Sequence, residues 1–326
     1  MIRQQPFAAA IVGLGQVGMM FDLDPKRSGV WTHFTAYERL SDRFDLVAVC
    51  DVVPERLRLA SERRSALRCY ERMGDLLINE RLDVISICTP PEFHLPQLEV
   101  ALPHVKAAIC EKPLGGAGEA ASKIVEAYAA RGVVLAVNYY KRYDAVIPTA
   151  RLLLDEGAVG SIRRATGRYS GPLDAVGCHA LDLLDYLVGP MKLIHTLAGD
   201  GECGTAVLFT ASGQHVILER TGDREDLIFE VDIVGSEGRM QITQNCSCLI
   251  VERFQPSPRY SGYRELVMEP LPEFRPNERF LPLFAETSDA LEGRGKVTST
   301  GATALRIQHL LNEIESCLRS PTSYCP

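Results

Sequence analysis

A chain of 326 residues that is 46% hydrophobic and 24% charged is long enough for two domains with substantial cores. Its net charge of -7, without any basic cluster, gives no electrostatic reason to expect nucleic acid. No apolar run is long enough for a membrane helix, and residues 1–6 read as neither signal nor anchor, so a cytoplasmic protein without a membrane partner is expected. The ten cysteines lack zinc-like spacing, Cys246-x-Cys248 being too tight for a ligand pair; they are read as reduced thiols, and no metal is expected.

The first expected element is an apolar strand over residues 7–12. It runs into Gly13-Leu14-Gly15-Gln16-Val17-Gly18, the G-x-G-x-x-G pattern that holds the pyrophosphate of a dinucleotide. The first glycine allows a tight turn, the second lets the backbone approach the phosphates, and the third lets the next segment pack on the strand. Backbone N–H groups and the helix dipole then hold the anion. A helix over residues 34–40 and a strand over 44–50 follow, ending in Asp51. A carboxylate there can accept hydrogen bonds from an adenosine ribose and repel a 2′-phosphate, which favours NAD over NADP. Asp51 lies 33 residues after Gly18, against about 20 in the usual fingerprint. The surplus, residues 19–32, must leave at the C-terminal face of the sheet. It is read as a lid or a contact for a large substrate, with Trp31, the only tryptophan, stacking on a sugar or base. A plain surface loop or subunit contact is the alternative.

A helix over residues 54–67 comes next, with proline in its first turn. Apolar strands over 82–88 and 106–110 close at Thr89-Pro90 and Glu111-Lys112-Pro113. A helix over 117–130 leads to a strand over 133–137. Continuous apolar strands separated by helices indicate a parallel sheet covered on both faces. Ligands of such sheets bind beyond the C-terminal strand ends, where all of these motifs fall. The second half changes character. A helix over 175–187 precedes alternating stretches over 205–210, 215–220, 227–234, 240–243 and 247–254, joined by turn signals such as Ser212-Gly213 and Ser236-Glu237-Gly238. Residues 256–276 are irregular and proline-rich, and helices over 280–291 and 302–318 close the chain. The expected fold is α/β: a Rossmann doubly wound parallel sheet in residues 1–138, then an α+β domain with a largely antiparallel open sheet in residues 139–326.

With these motifs in order, the chain resembles the glucose-fructose oxidoreductase / inositol dehydrogenase (Gfo/Idh/MocA) family over nearly its whole length. The resemblance rests on the glycine turn, Asp51, Thr89-Pro90 with His94, Glu111-Lys112-Pro113, the stretch from Asn138 to Tyr143, Gly177-Cys178-His179-Ala180-Leu181-Asp182, and Gly235-Ser236-Glu237-Gly238. It implies reversible hydride transfer between a nicotinamide and a carbinol of a sugar, polyol or nucleotide-sugar. It also implies a homodimer or homotetramer built through the C-terminal sheet. A nucleotide-sugar or modified sugar of a biosynthetic pathway is the preferred substrate. Two other readings stay open: a non-catalytic dinucleotide- or sugar-sensing protein on the same fold, and an enzyme acting on a non-sugar molecule.

The resemblance also implies roles residue by residue. Lys112 would hydrogen-bond the reacting oxygen and stabilise alkoxide-like charge, and Glu111 would orient Lys112 or the nicotinamide ribose. His179, whose side-chain type titrates near neutrality, is the acid/base candidate. Asp182, one helical turn on, would orient His179 or bind substrate, a helix-packing role being the alternative. Thr89 and Pro90 resemble the pair beside the nicotinamide ribose, with His94 facing the cofactor or fixing the turn. Asn138 belongs with the cofactor residues; Tyr140, Lys141 and Arg142 fall in the substrate-pocket stretch, Arg142 being equally readable as a structural ion-pair partner. The family's helix-start histidine reappears as His33. One departure stands out. The family often carries an aspartate four residues before the motif histidine; here that position is Ala175, and the nearest acid is Asp174, five residues before, which a one-residue shift in the loop would bring into place; otherwise the site lacks that carboxylate and Lys112 with His179 must suffice.

Overall fold

A computed structural model of the protein describes residues 5–116, 118–199, 204–223, 225–271, 273–274 and 278–319. The start of the chain, the expected helix start at Ala117, and Cys203 and Cys325 lie outside these residues. The chain divides into two compact units, Met1–Tyr140 with Glu278–Leu305 and Lys141–Asn277 with Arg306–Pro326. Among the described residues, no helix is long and apolar enough to cross a membrane.

The first unit is built on six parallel strands: β1 (Phe7–Val12), β2 (Phe44–Cys50), β3 (Arg68–Tyr70), β4 (Val84–Ile87), β5 (Ala107–Cys110) and β6 (Val134–Val137). Their order across the sheet is β3-β2-β1-β4-β5-β6. Every residue of β4 and β5 is buried, as strands covered on both faces must be. The crossover helices are α1 (His33–Arg39), α2 (Pro54–Arg63), α3 (Met73–Asn79), α4 (His94–Ala101) and α5 (Glu119–Ala130). The direction of winding reverses between β1 and β4, which opens a crevice at their C-terminal ends.

The second unit holds α6 (Val146–Asp155), β7 (Ile162–Ser170), α7 (Cys178–Val188) and β8 (Met191–Ala198). The strands β9 (Gly204–Thr210), β10 (His215–Gly222), β11 (Phe229–Gly235), β12 (Gly238–Thr243), β13 (Cys248–Pro256) and β14 (Arg264–Met268) complete its sheet. The order is β14-β13-β12-β11-β7-β10-β9-β8. It is largely antiparallel, with β7 and β10 running parallel. Helix α7 lies against β7, and Gly167 makes the approach close: a Cβ there would stand 3.0 Å from the Leu184 Cδ1. A single wide turn, Leu173–Gly177, precedes α7 and closes through Gly177 N–H to the Pro172 carbonyl, five residues back.

Helix α8 (Leu281–Leu291) belongs to the first unit. Its Phe284 packs edge-on against Tyr37 of α1 at 5.0 Å, and Arg43 ties it down through Asp289 at 3.0 Å. Ser299 and Thr300 cover the β6 edge, Val137 N–H donating to the Ser299 carbonyl at 2.9 Å. Cys317, in α9 (Gly301–Arg319), corrects one expectation: it is disulfide-bonded, whereas the other described cysteines are free thiols.

Candidate active site: a dinucleotide crevice with a buried carboxylate

The glycine turn is built as its spacing demands. Gly13 sits at φ +92°, and a Cβ on it would lie 2.7 Å from the Cys88 carbonyl carbon of the next strand. A Cβ on Gly18 would collide with the Gly13 carbonyl oxygen, so the third glycine closes the turn on the first. Gly15 faces open space, with nothing within 4 Å of a Cβ, which leaves its backbone approachable by a ligand.

The surplus segment is spliced into the first turn of the helix that follows. Val17 and Gly18 carbonyls accept from His33 and Phe34 N–H at 3.0 and 3.1 Å. An uninterrupted helix would supply the first of these donors at position 21, twelve residues earlier. The helix therefore leaves after Gly18 and resumes in register at His33, capped by Thr32 Oγ1 accepting from Thr35 N–H. Asp22 anchors the segment, its Oδ2 accepting from Thr32 Oγ1 at 2.8 Å, Thr35 Oγ1 at 2.6 Å and Arg63 Nη1 at 2.6 Å. Trp31 meets Tyr140 edge-on at 6.5 Å, with the guanidinium of Arg279 at 5.0 Å and that of Arg27 at 5.2 Å from its ring.

A cavity of about 630 Å³ runs along the strand ends and is lined by Gly13, Gly15, Gln16, Val17, Asp51, Thr89, Pro90, Glu111 and Lys112. At the β2 end, Asp51 Oδ2 accepts from Leu14 N–H at 2.6 Å and Oδ1 from Val53 N–H at 2.8 Å. Arg56, one turn into α2, lies 3.3 Å from the same carboxylate and also lines the cavity. The sequence reading missed Arg56, Phe93 and Gln97 in this lining; their only signal is a position one turn past a strand-end motif. Gln97 accepts from Thr89 Oγ1 at 2.6 Å. His94 is fully buried and turns both ring nitrogens to carbonyl oxygens, of Pro113 at 2.9 Å and Thr89 at 2.7 Å, tying the two strand-end segments together.

At the β5 end a chain of buried polar groups converges on Glu111. Oε1 accepts from His33 Nε2 at 2.9 Å and from Asn138 Nδ2 at 2.6 Å, and Lys112 N–H reaches Oε2 at 3.3 Å. His33 Nδ1 meets Ser86 Oγ at 2.9 Å, and Tyr37 OH meets the same hydroxyl at 2.8 Å. Burial raises the cost of charging Glu111, yet the hydrogen bonds from His33 and Asn138 and the nearby Lys112 hold its carboxyl below the ordinary value. Burial pushes the neighbouring Cys88 and Cys110 thiols well up, which keeps them neutral. Asn138 is fully buried, and its Oδ1 has no hydrogen-bond partner.

In the second unit, His179 lies in the first turn of α7 and is buried; Asp174 is exposed within the wide turn before it. Arg142 and Asp182 form a two-point pair, Nε and Nη2 donating to the two carboxylate oxygens at 2.7 Å each, with both side chains buried. Burial pushes the Asp182 carboxyl up to about 6, against the pull of the guanidinium. Lys141 donates to Asn245 Oδ1 at 2.7 Å from a loop in which Gln244, Asn245 and Cys246 all adopt positive φ.

A parallel sheet in this order, with a glycine turn at its crevice and an acidic residue ending β2, defines a dinucleotide-binding Rossmann unit. Residues 7–139 match the family model described as "Oxidoreductase family, NAD-binding Rossmann fold". Over these residues the chain is similar to this Gfo/Idh/MocA oxidoreductase family. It is 31% identical over 232 residues to D-apiose dehydrogenase of Paraburkholderia graminis, covering 62% of each chain. It is 26% identical over 207 residues to D-glucoside 3-dehydrogenase of Escherichia coli, covering 58% of this chain and 56% of that one. The matches thus span less than two thirds of these relatives' own lengths. The fold is shared with the WlbA dehydrogenase from Bordetella pertussis in complex with NADH and UDP-GlcNAcA, at a TM-score of 0.80 and 21% identity over 99% of this chain and 98% of that one.

Proposed function

We propose that the protein is an NAD(H)-dependent oxidoreductase that moves a hydride between the nicotinamide and a carbinol or keto carbon of a sugar, with a nucleotide-sugar or modified sugar preferred. One observation carries this reading: a single cavity joins the glycine turn and Asp51 at one end to Glu111 and Lys112 at the other. The cofactor fits the residues present. Gly15 leaves room for a pyrophosphate, and the unpartnered Asn138 Oδ1 offers an acceptor at the end of β6. When bound, the cofactor supplies the hydride acceptor or donor.

The chain's own residues do the rest. Gly13, Gly15, Gln16, Val17 and Gly18 hold the diphosphate, and Asp51 takes the adenosine ribose. Thr89, Pro90, Glu111 and Asn138 frame the nicotinamide end, with His94 fixing the strand ends from behind. The Lys112 ammonium polarises the reacting oxygen, and His179 takes or returns the hydroxyl proton. Asp174 is the carboxylate partner in this reading. The wide turn before α7 supports it, because five-residue closure lets a side chain five positions back stand where four positions serve in an ordinary helix. Tyr140 and Trp31 offer sugar-stacking faces. Arg142 and Asp182 act through their mutual pair, shaping the segment that carries Tyr140 and Lys141. A homodimer or homotetramer through the sheet of the second unit completes the proposal.

The test follows absorbance at 340 nm with NAD or NADH over a panel of free and nucleotide-linked sugars. A signal that falls at least a hundredfold in Lys112→Ala, with NADH binding retained, supports the reading. NADH binding with silence across the panel supports a sensing protein instead.

A further inference from the structure

Few proteins bury an ionised carboxylate at the bottom of a ligand cavity without a use for its charge, because the desolvation cost is large. Glu111 is such a group. It lines the cavity, its side chain is 9% exposed, and the donors around it point inward. An ionised carboxylate only accepts hydrogen bonds, so His33 Nε2 must carry a proton toward it. His33 Nδ1 in turn meets Ser86 Oγ, and the same hydroxyl meets Tyr37 OH, an order in which each proton can point toward the carboxylate. The chain Tyr37–Ser86–His33–Glu111 thus admits one polarity, every donor aimed at the carboxylate, and it is completed by Asn138 Nδ2. The rings of Phe280 and Phe284 stand edge-on to His33 at 6.1 and 5.1 Å and close the space around it. This is an anion fixed before any ligand arrives. Lys112 is the cation beside it, and the Cys88 and Cys110 thiols are neutral.

We propose that this preset Glu111 anion, held by His33, biases the site toward the oxidised, cationic nicotinamide ring over the reduced, neutral one, and so favours hydride delivery from bound NADH to a carbonyl. The inference rests on the NAD reading above and adds a direction to it. A charge selectivity of this kind does not reside in the glycine turn, where both forms of the cofactor are alike. By linkage, whatever factor separates the two affinities also shifts the equilibrium of the bound reaction by that same factor. Glu111 is here a charge-placing residue and His33 a positioning residue, acting through the carboxylate.

The experiment measures the ratio of dissociation constants for NAD⁺ and NADH on the full chain, NADH by its own fluorescence and NAD⁺ by competition. Both numbers come from one preparation, so any inactive fraction cancels. Glu111→Gln keeps the shape and the acceptor for His33 while removing the charge. It is expected to weaken NAD⁺ relative to NADH by about tenfold, or 1.4 kcal/mol. His33→Asn, which leaves the carboxylate in place with a poorer donor, is expected to move the ratio the same way by a smaller factor. A ratio that stays within twofold of the unsubstituted protein in Glu111→Gln, with both cofactors still bound, overturns the inference and leaves the oxidoreductase reading standing. Failure of the unsubstituted protein to bind either cofactor overturns both.

Discussion

Asp51 does two jobs with one carboxylate. Its bonds to Leu14 and Val53 N–H fasten the glycine turn to the end of β2, and its side chain also lines the cavity. Arg56 lies against it and lines the same cavity, so the charge presented there is a balance of the two, and on the proposed reading that balance meets the adenosine ribose. Selectivity between NAD and NADP should therefore move when either is removed. Asp51→Ala leaves Arg56 unopposed and is expected to improve the affinity for NADP relative to NAD by about tenfold, while Arg56→Ala in the same background should reverse most of that gain. Competitive titration with the two cofactors checks both steps. That Asp51 lines the cavity was legible from its place at a strand end; that Arg56 does was not, because it depends on where the first turn of α2 lies.

At the scale of elements, the Arg142–Asp182 pair joins the short turn Tyr140–Tyr143 to α7. Both groups are buried, so removing one partner strands a charge. Arg142→Met is expected to lower stability by about 3–5 kcal/mol, and Arg142→Met with Asp182→Leu to recover much of it; urea unfolding of the single and double variants reads the difference. The parallel strands were readable because β1, β2, β4, β5 and β6 are nearly unbroken apolar runs. The central strand of the second sheet was not. In β7, Arg163, Arg164 and Arg168 interrupt the alternation and Gly167 looks like a turn, yet Arg168 pairs with Glu219 of the neighbouring strand and Gly167 admits α7. Those partners come from distant sequence, and no local pattern reports them. The wide turn before α7 was hidden for a related reason: its five-residue closure is a property of the folded chain that no local residue pattern reports.

Across the whole molecule, stability should carry the mark of its buried charges. Glu111 titrates below the ordinary glutamate value of 4.5 in the folded protein. A carboxyl depressed by folding contributes stability that is fully present above its unfolded value and lost as pH falls through its folded value. Unfolding free energy should therefore fall more steeply on the acid side of 4.5 in the unsubstituted protein than in Glu111→Gln, which has no such proton to take up. Denaturant titrations at several pH values check this, and parallel acid limbs would mean that Glu111 is not ionised in the fold. The two-unit organisation followed from the change of patterning near the middle of the chain. What that patterning did not disclose is that residues 278–305 return to the first unit, since the helix there matches either partner by its periodicity alone.

The splice at Gly18 and His33 has a consequence for how this protein can change. Both ends of the inserted segment are fastened to successive carbonyls of one helical turn, so its contour closes on itself and the helix beyond is indifferent to how long it is. The entropy of closing such a loop grows only slowly with length. With Asp22 kept for its bonds to Thr32, Thr35 and Arg63, the residues after it up to Val30 are in effect a socket: sequence can be exchanged, extended or tagged there while the glycine turn keeps its geometry. A lineage could therefore vary this segment without disturbing the glycine turn, and an engineer could use the same port.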